Sequence, residues 1–485
     1  MGFRLPSLLA AVVAAAALAQ GAWAQQAANS ALSGDGSDGQ TPLVLSTIPG
    51  DPAAPAPPTD PTALSTAAPG AAADSVQDAG RVQRQLPQAQ GPEPDPLDPT
   101  AVGNIRKAPA DTDPFAALGI RAGSFILYPS LTTSFEHATN ASGDGRSDKL
   151  TVTPELRLQS DWALHEATLT LRGSYARDFA SDTPDSPAGS VDATGRIDLK
   201  PGWNVGLAGN YSYSQQSISD PNFPAGVDNR PGVHDFSGSA ALNGSFGRKV
   251  FTVEGKVGRS IYENGTSAGA IVDQGYRNNT TFGGRLRLGY ESPLGVTPFV
   301  EGEVSRRQYD HTTDNNGLKR ASLETVGRAG VAFDRGPVLT GELALGYGVQ
   351  SFDDRALASL SALTVDGSLV WSPTRLYTAT FSGSTAFNAG TDAASSGSVA
   401  YTGSVDLAYA WKPNLTVDWT GDVTHEMFQG TGRVDTTFKA GVGATWKLNR
   451  RAWLTGGYAH EWSSSTAAGN SYQSDSLKLE LRLQK

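Results

Sequence analysis

The chain has 485 residues, room for two or three ordinary domains or for one large closed β-structure. It contains no cysteine, which excludes disulfides, zinc–thiolate sites, iron–sulfur clusters and thiol nucleophiles together. Its net charge of −10 argues against a nucleic-acid binder, and its longest apolar run, Leu8–Ala19, is too short for a helix across a ~30 Å hydrocarbon core.

The first residues read as an address. Arg4 gives a positive start, Leu8–Ala19 a compact apolar stretch, and Ala22-Trp23-Ala24 fits the small-x-small rule for signal peptidase. Residues 1–24 are therefore expected to be a signal peptide, with the mature chain starting at Gln25. No cysteine is present for acylation, so a lipoprotein is excluded. Residues 25–118 hold 15 of the 29 prolines, one aromatic (Phe115), 4 Lys+Arg and 11 Asp+Glu. A segment of this composition buries too little apolar surface to offset its ordering entropy, so an acidic, disordered periplasmic segment is expected. Runs such as Asp51-Pro52-Ala53-Ala54-Pro55 favour extended, polyproline-like conformations. The composition names no partner for it.

From Gly119 to Lys485 the apolar period becomes two. Leu415, Val417, Trp419 and Val423 alternate with Thr416, Asp418, Thr420 and Asp422, and Phe282, Leu286 and Leu288 with Thr281, Arg285 and Arg287. Leu477, Leu479, Leu481 and Leu483 alternate in the same way with Lys478, Glu480, Arg482 and Gln484. A helix would smear each of these sets around its surface, whereas a strand gives each one apolar and one polar face. Eighteen such segments are expected. They begin near Ser124, Lys149, Ala167, Ser190, Trp203, His234, Val250, Tyr276, Gly295, Ala321, Val338, Leu363, Leu376, Gly397, Leu415, Val434, Ala452 and Tyr472.

The connections alternate too. Eight are tight, among them Lys200-Pro201-Gly202, Phe246-Gly247-Arg248, Ser372-Pro373-Thr374 and Lys412-Pro413-Asn414; nine are mostly longer and polar. Short turns at one end, long loops at the other and an even strand count are the pattern of a bacterial outer-membrane barrel. Six tryptophans (Trp162, Trp203, Trp371, Trp411, Trp446 and Trp453) lie beside tight turns, as an aromatic girdle at headgroup level requires. The expected fold is all-β: a transmembrane antiparallel up-and-down barrel of about 18 strands over residues 119–485, since only a closed barrel lets strands cross lipid without unpaired edges.

With the apolar face toward lipid, the alternate face lines the interior. Acids on it are Glu155, Asp192, Asp198, Glu254, Glu301, Glu303, Glu324, Glu342, Asp366, Asp406, Asp418, Asp422 and Glu480. Bases are Arg157, Arg172, Arg196, Lys200, Lys256, Arg285, Arg287, Arg307, Arg328, Lys439, Lys447, Lys478 and Arg482. Acids and bases balance, and no ring of one sign stands out, so little gross ion preference is expected. The lumen-lining candidates carried forward are Arg285, Arg287, Glu301, Glu303, Arg328, Glu342, Asp418, Asp422, Lys478, Glu480 and Arg482. Each is also able simply to pair with an opposite charge across the wall. The longest loop, Gln215–Gly232, has two readings, an inward constriction or an outer lid.

Catalytic patterns do not survive their context. Gly265-Thr266-Ser267-Ala268-Gly269 matches GxSxG, but that motif needs a strand-to-helix elbow and here lies between two strands. The six histidines show no HExxH or paired-ligand spacing. His234-Asp235, Asp310-His311, His425-Glu426 and His460-Glu461 place His beside acid near the rim, as in a rim-active protease, yet adjacent strand residues point to opposite faces. No catalytic, cofactor-binding or metal site is expected, and Asp310–Gly317 lacks the ligand spacing of a calcium loop.

Arg121-Ala122-Gly123-Ser124-Phe125-Ile126-Leu127-Tyr128-Pro129-Ser130, running on to Asn140, resembles the opening strand of the family called putative beta-barrel porin 2. The Pro-rich leader and the closing Leu481-Arg482-Leu483-Gln484 strand match it as well. The resemblance implies an outer-membrane barrel, near exopolysaccharide synthesis and export genes in some members, and brings no catalytic residues. The expected function is a weakly selective, water-filled diffusion channel of the Gram-negative outer membrane, linked to saccharide passage or exopolysaccharide export. The alternatives are a structural or surface-display barrel with a plugged lumen and working loops, and a rim-active hydrolase. Expected partners are outer-membrane lipid, the barrel-assembly machinery and periplasmic chaperones, and small hydrophilic solutes or polysaccharide; no nucleic acid is expected.

Overall fold

A computed structural model describes residues 113–140, 145–180, 185–216, 223, 227–390 and 395–485. The expected signal peptide and nearly all of the acidic Pro-rich segment lie outside the described residues. In chain order the strands are β1 (Ile120–Ala122), β2 (Phe125–Ala138), β3 (Ser147–Ser160), β4 (Glu166–Asp178), β5 (Ser186–Lys200), β6 (Trp203–Gln215), β7 (Gly232–Phe246) and β8 (Lys249–Tyr262). A small hairpin, β9 (Gly265–Ser267) and β10 (Ala270–Val272), precedes β11 (Asn279–Tyr290), β12 (Val296–Tyr309), β13 (Ser322–Asp334), β14 (Leu339–Phe352) and β15 (Leu360–Thr374). The last six are β16 (Tyr377–Ala389), β17 (Gly397–Lys412), β18 (Leu415–Gln429), β19 (Val434–Asn449), β20 (Ala452–Ser465) and β21 (Tyr472–Gln484).

The long strands form one closed antiparallel barrel of 18 strands. Each pairs with its sequence neighbours, β8 pairs with β11 across the small hairpin, and β21 closes on β2 with Gln484 opposite Ser130 and Ser476 opposite Ala138. All eighteen start within four residues of the expected positions, and six start at the residue named: Trp203, Gly397, Leu415, Val434, Ala452 and Tyr472. Among the described residues the one helical turn is a 3-10 turn at Gly275–Arg277.

Turn chemistry explains the sorting of the two ends. Pro201–Gly202, Gly247–Arg248, Arg375–Leu376, Pro413–Asn414 and Arg450–Arg451 each join two strands with only two residues. Pro201 fixes its own φ and Gly202 sits at φ +77, a conformation that suits glycine and lets the chain reverse at once. At the other end, residues 216–231 and 263–278 make connections of sixteen residues each.

The barrel is inside-out relative to a soluble protein. Leu286, Leu288, Val300, Leu343, Leu345, Leu477 and Leu479 are exposed, while Arg285, Arg287, Glu301 and Ala344 on the alternate face are sheltered. This is the arrangement that apolar side chains require when the outer solvent is hydrocarbon. Among the described residues one four-residue apolar cluster, Leu360, Ala362, Phe387 and Val399, is buried near the long-loop end.

Both termini of the barrel lie at the tight-turn end. β1 pairs with β2 (Ile120 opposite Leu127, Ala122 opposite Phe125), covering the edge of β2 that β21 leaves open. Just before it, Asp113 accepts the Lys447 ammonium, and the Arg450 guanidinium donates to the Pro114 carbonyl at 2.6 Å. The final residues before the expected boundary at Gly119 are thus fastened to the β19–β20 turn.

Candidate channel lining

The sharpest separation of faces is on β11 and β12. Arg285 and Arg287 side chains are 8% and 17% exposed, whereas Leu286 and Leu288 between and beside them are 49% and 50% exposed. Glu301 is 6% exposed beside Val300 at 56%. Register then sets which charges meet, because residues opposite one another share a face. Arg285 lies opposite Glu303 on β12 and Glu254 on β8, and Glu301 lies opposite Arg287 on β11 and Arg328 on β13.

The result is one network across five strands. Arg285 Nε donates to Glu254 Oε2 at 2.8 Å and its other arm is 3.6 Å from Glu301. Arg287 donates to both Glu342 oxygens, at 3.2 and 2.7 Å, with its guanidinium 3.4 Å over the Phe299 ring. Arg328 bridges Glu301 (3.0 Å) and Glu303 (3.3 Å), and Lys256 donates to Glu303 at 3.0 Å. Four acids and four bases cancel. Arg287 and Glu342 keep some contact with water, while the other six ions are at most 14% exposed and depend on their partners, because an unpaired charge in such a site carries a large desolvation penalty.

Six of the eleven candidates (Arg285, Arg287, Glu301, Glu303, Arg328 and Glu342) belong to this network. Three more form a second group near the seam of the barrel: Lys478 pairs with Glu480 at 3.0 Å, and Arg482 is 3.8 Å from Glu155, which also accepts Arg172 at 2.6 Å. Asp418 and Asp422 stand apart from both on β18, opposite Gly443 and Lys439 of β19. The alternation of the sequence placed all of these on one face. It could not choose their partners, which depend on register.

Two side chains outside the expected roles sit with the charges. Phe299, 5% exposed, supports Arg287 from the same face as Glu301. Trp453 departs from the expected girdle: it lies opposite Lys447 and Arg482, with both cations over its ring at 4.9 and 5.9 Å. Trp371, Trp411 and Trp446 are exposed on the apolar face as a girdle requires.

The long-loop end is bound together by ion pairs. Arg259 grips Asp310 with two hydrogen bonds of 2.5 Å, and Arg306 grips Asp353 at 2.8 and 2.5 Å. Each guanidinium holds its carboxyl below the usual aspartate range. Arg320 and Asp314 form a pair only 3% exposed on either side (Nε to Oδ2, 2.6 Å), and Arg320 also donates to the Gly390 and Ser395 carbonyls at 2.7 and 2.9 Å. Burial works against ionisation of Asp314, but the guanidinium and the Leu318 and Asn316 N–H groups outweigh it, so its carboxyl is also held low. Arg320 gave no signal in the sequence beyond its charge in a polar loop. Of the loop 215–232, most of the tip is outside the described residues; its base is tied to the β9–β10 hairpin through Asp228 N–H to Thr266 O at 2.7 Å.

The GxSxG match is that hairpin. Ser267 ends β9, and Ala268 and Gly269 turn the chain with φ of 48° and 83°, so no strand-to-helix elbow presents the serine. Three histidines hydrogen-bond acids distant in sequence, His137 with Asp148 at 2.6 Å, His460 with Asp475 at 2.7 Å and His234 with Glu263 at 3.2 Å, while His425 meets the Thr436 hydroxyl at 2.8 Å. Among the described residues no group of three or more His, Cys, Asp or Glu is placed to hold a metal ion.

Several solved structures are similar to this one. The outer membrane protein OpdK of Pseudomonas aeruginosa aligns at 11% identity over 74% of this chain and 99% of its own, with a TM-score of 0.37. A BenF-like porin from Pseudomonas fluorescens Pf-5 aligns at 9% identity over 75% and 99%, TM-score 0.39. The siderophore receptor PiuA of Acinetobacter baumannii aligns at 8% over 76% and 82%, TM-score 0.34. No protein of curated function matches the chain in sequence. The model of the family described as Putative beta-barrel porin 2 matches residues 113–485, the whole of the barrel and its N-terminal fastening, and the chain belongs to that family of outer-membrane barrels.

Proposed function

We propose that the barrel is a weakly selective, water-filled diffusion channel for small hydrophilic solutes, saccharides among them, and that the sheltered charged face lines its lumen. The observation that carries this reading is the charge balance of that face. The β8–β14 network holds four acids and four bases, each matched to a partner, so the wall presents a polar surface without a net field. Such a wall neither repels nor traps an uncharged polyol, and it discriminates little between small cations and anions. Barrels of 16–18 strands are wide enough to enclose an aqueous path.

The test is single-channel recording of the purified mature protein in a planar bilayer. Large, reproducible steps with a reversal potential near zero in a salt gradient are expected. Silence from protein verified as inserted would overturn the channel. It would favour the second reading, a plugged barrel, which the burial of Ser395–Ala400 at the long-loop end supports.

A further inference from the structure

The wall of the barrel loses one ladder above Gly367. The ladder between β15 and β16 runs from Trp371 opposite Ala379 to Gly367 opposite Gly383 and stops there, although β15 continues to Leu360 and β16 to Ala389. On their other sides both strands stay paired to their ends: Leu360 lies opposite Gln350 on β14, and Ala389 opposite Gly397 on β17. Two strand edges of the one continuous sheet therefore part along this line. The β15 edge is closed by hydroxyls instead of a ladder. The Val365 N–H donates to Thr385 Oγ1 at 2.9 Å, the Thr385 hydroxyl lies 3.2 Å from the Val365 carbonyl, and the Tyr401 hydroxyl donates to the Leu363 carbonyl at 2.9 Å.

Burial shows which edge passes inside. Leu407 lies opposite Trp419, which is 43% exposed on the apolar outer face, and Val399 shares the face of Leu407 by alternation. Phe387 lies opposite Val399 and belongs to that face too. Both ought to meet lipid, yet they are 5% and 6% exposed. They pack on Leu360 and Ala362, the sheltered face of β15, whose alternate residue Leu363 is 51% exposed. The inner face of β15 thus overlaps the outer face of β16–β17, and the upper part of that hairpin is tucked inside the wall. Gly367, Gly383 and Gly403 stand opposite one another across β15, β16 and β17 where the edges part. A row without side chains has no cross-strand packing to resist bending.

The height of the seam matters. A tilted strand crosses hydrocarbon in about 9–11 residues, which, counted from Trp371 at the tight-turn girdle, places the upper limit of the apolar band near Leu363–Ser361. The seam therefore opens within the half of the band nearest the long loops, toward lipid. We propose that it is a lateral exit: the β16–β17 hairpin swings on the glycine row, and the gap joins the lumen to the surrounding bilayer for a molecule carrying an alkyl or acyl chain. Parting β15 from β16 breaks no backbone ladder between them, only the hydroxyl bonds, the apolar overlap and the Arg320 bonds to the Gly390 and Ser395 carbonyls, and β18, paired with β17 up to Gly397, moves with the hairpin. The surfaces it uncovers, Leu360, Ala362, Phe387 and Val399, suit a hydrocarbon chain and offer nothing to a hydrated solute. The inference rests on the outer-membrane barrel and not on the conductance reading, so a silent bilayer would leave it standing.

The absence of cysteine makes single-cysteine reporters clean. Val399→Cys, and separately Ala362→Cys, would be placed in the full mature chain, inserted in phospholipid vesicles, and alkylated with an N-alkyl maleimide that partitions into lipid or with a sulfonated maleimide confined to water. Removing the hydroxyls (Thr385→Val with Tyr401→Phe) is expected to raise the rate with the lipid-soluble reagent tenfold or more and to leave the sulfonated reagent unchanged. Gly383→Ala, whose added methyl meets nothing nearer than 3.8 Å, is expected to slow labelling by stiffening the hinge. Equal rates in all backgrounds would overturn the exit, as would acceleration by the sulfonated reagent alone. If the double variant does not insert, Gly383→Ala decides by itself: slower labelling supports the hinge, and an unchanged rate removes it.

Discussion

Replacing Arg320 with methionine tests how the long loops are held over the barrel. The guanidinium is tied to Asp314 Oδ2 at 2.6 Å, the Gly390 carbonyl at 2.7 Å and the Ser395 carbonyl at 2.9 Å. Methionine keeps most of the length and removes the charge and every donor. Asp314, 3% exposed, would retain only the N–H groups of Leu318 (2.9 Å) and Asn316 (2.8 Å), both on Oδ1. Removing one partner of a buried ion pair costs about 3–5 kcal/mol, and the two remaining donors argue for the lower value, about 3 kcal/mol. At 1.4 kcal/mol per factor of ten, the loop should open roughly a hundredfold more often. Hydrogen exchange at the Gly317 and Leu318 amides reads this directly, while amides of the β19–β20 ladder should not change. The sign with pH follows from the depressed carboxyl. In the native chain the clasp is fully present above the ordinary aspartate value of 3.8 and is lost as pH falls through the lower folded value. In Arg320→Met the guanidinium no longer favours the ionised Asp314, leaving only the Leu318 and Asn316 N–H groups to oppose burial, so acid should narrow the difference between the two proteins. A change in exchange below threefold, or a loss of protection spread evenly around the barrel, would refute this reasoning.

Arg328→Gln withdraws one cation from a balanced network and leaves Glu301 and Glu303 in excess, so the reversal potential in a salt gradient should move toward cation preference; no movement would mean that these charges do not face the permeation path. Leu286→Arg or Leu479→Arg should destabilise the inserted barrel by about 2–4 kcal/mol in urea titrations from vesicles, whereas Thr281→Asp on the opposite face should cost far less. Equal tolerance would reverse the assignment of faces. Lys447→Met should free Asp113 and make residues 113–119 measurably more sensitive to protease, with no change in the unfolding of the barrel; unchanged sensitivity would show that β1 pairing alone fastens the segment.

Much of this architecture was legible because a membrane barrel exposes its logic along the chain. Alternation between hydrocarbon and a polar interior imposes period two on every strand, and the two ends impose different connection lengths, so the eighteen strands and their order could be read without any contact being known. The polar face was legible for the same reason. Its partners were not. That Arg285 meets Glu254, and Arg328 both Glu301 and Glu303, depends on register, which the tight turns set only approximately and bulges shift. Trp453 shows a related limit: proximity to a turn gave its height in the membrane, but its parity, opposite Lys447, turned it inward.

The tucked β16–β17 hairpin is where the two-face rule itself gives way. Alternation tells which side of its own sheet a residue occupies. It cannot tell that a sheet has split and one part has slid behind the other, because parity is preserved while the surroundings change. Phe387 and Val399 keep their outward parity and lose their exposure to Leu360 and Ala362. The local composition does hold a trace. Ser398-Val399-Ala400 is small on both faces and buried on both, and Gly367, Gly383 and Gly403 fall in one row. A wall strand facing lipid has every reason to carry bulky apolar residues at those outward positions and no reason to align three glycines beside them. A hinge needs the glycines, and a strand that must fit between two layers needs the small residues. The departures from an ideal barrel therefore coincide in one place, and that coincidence separates a movable part of the wall from an irregular one.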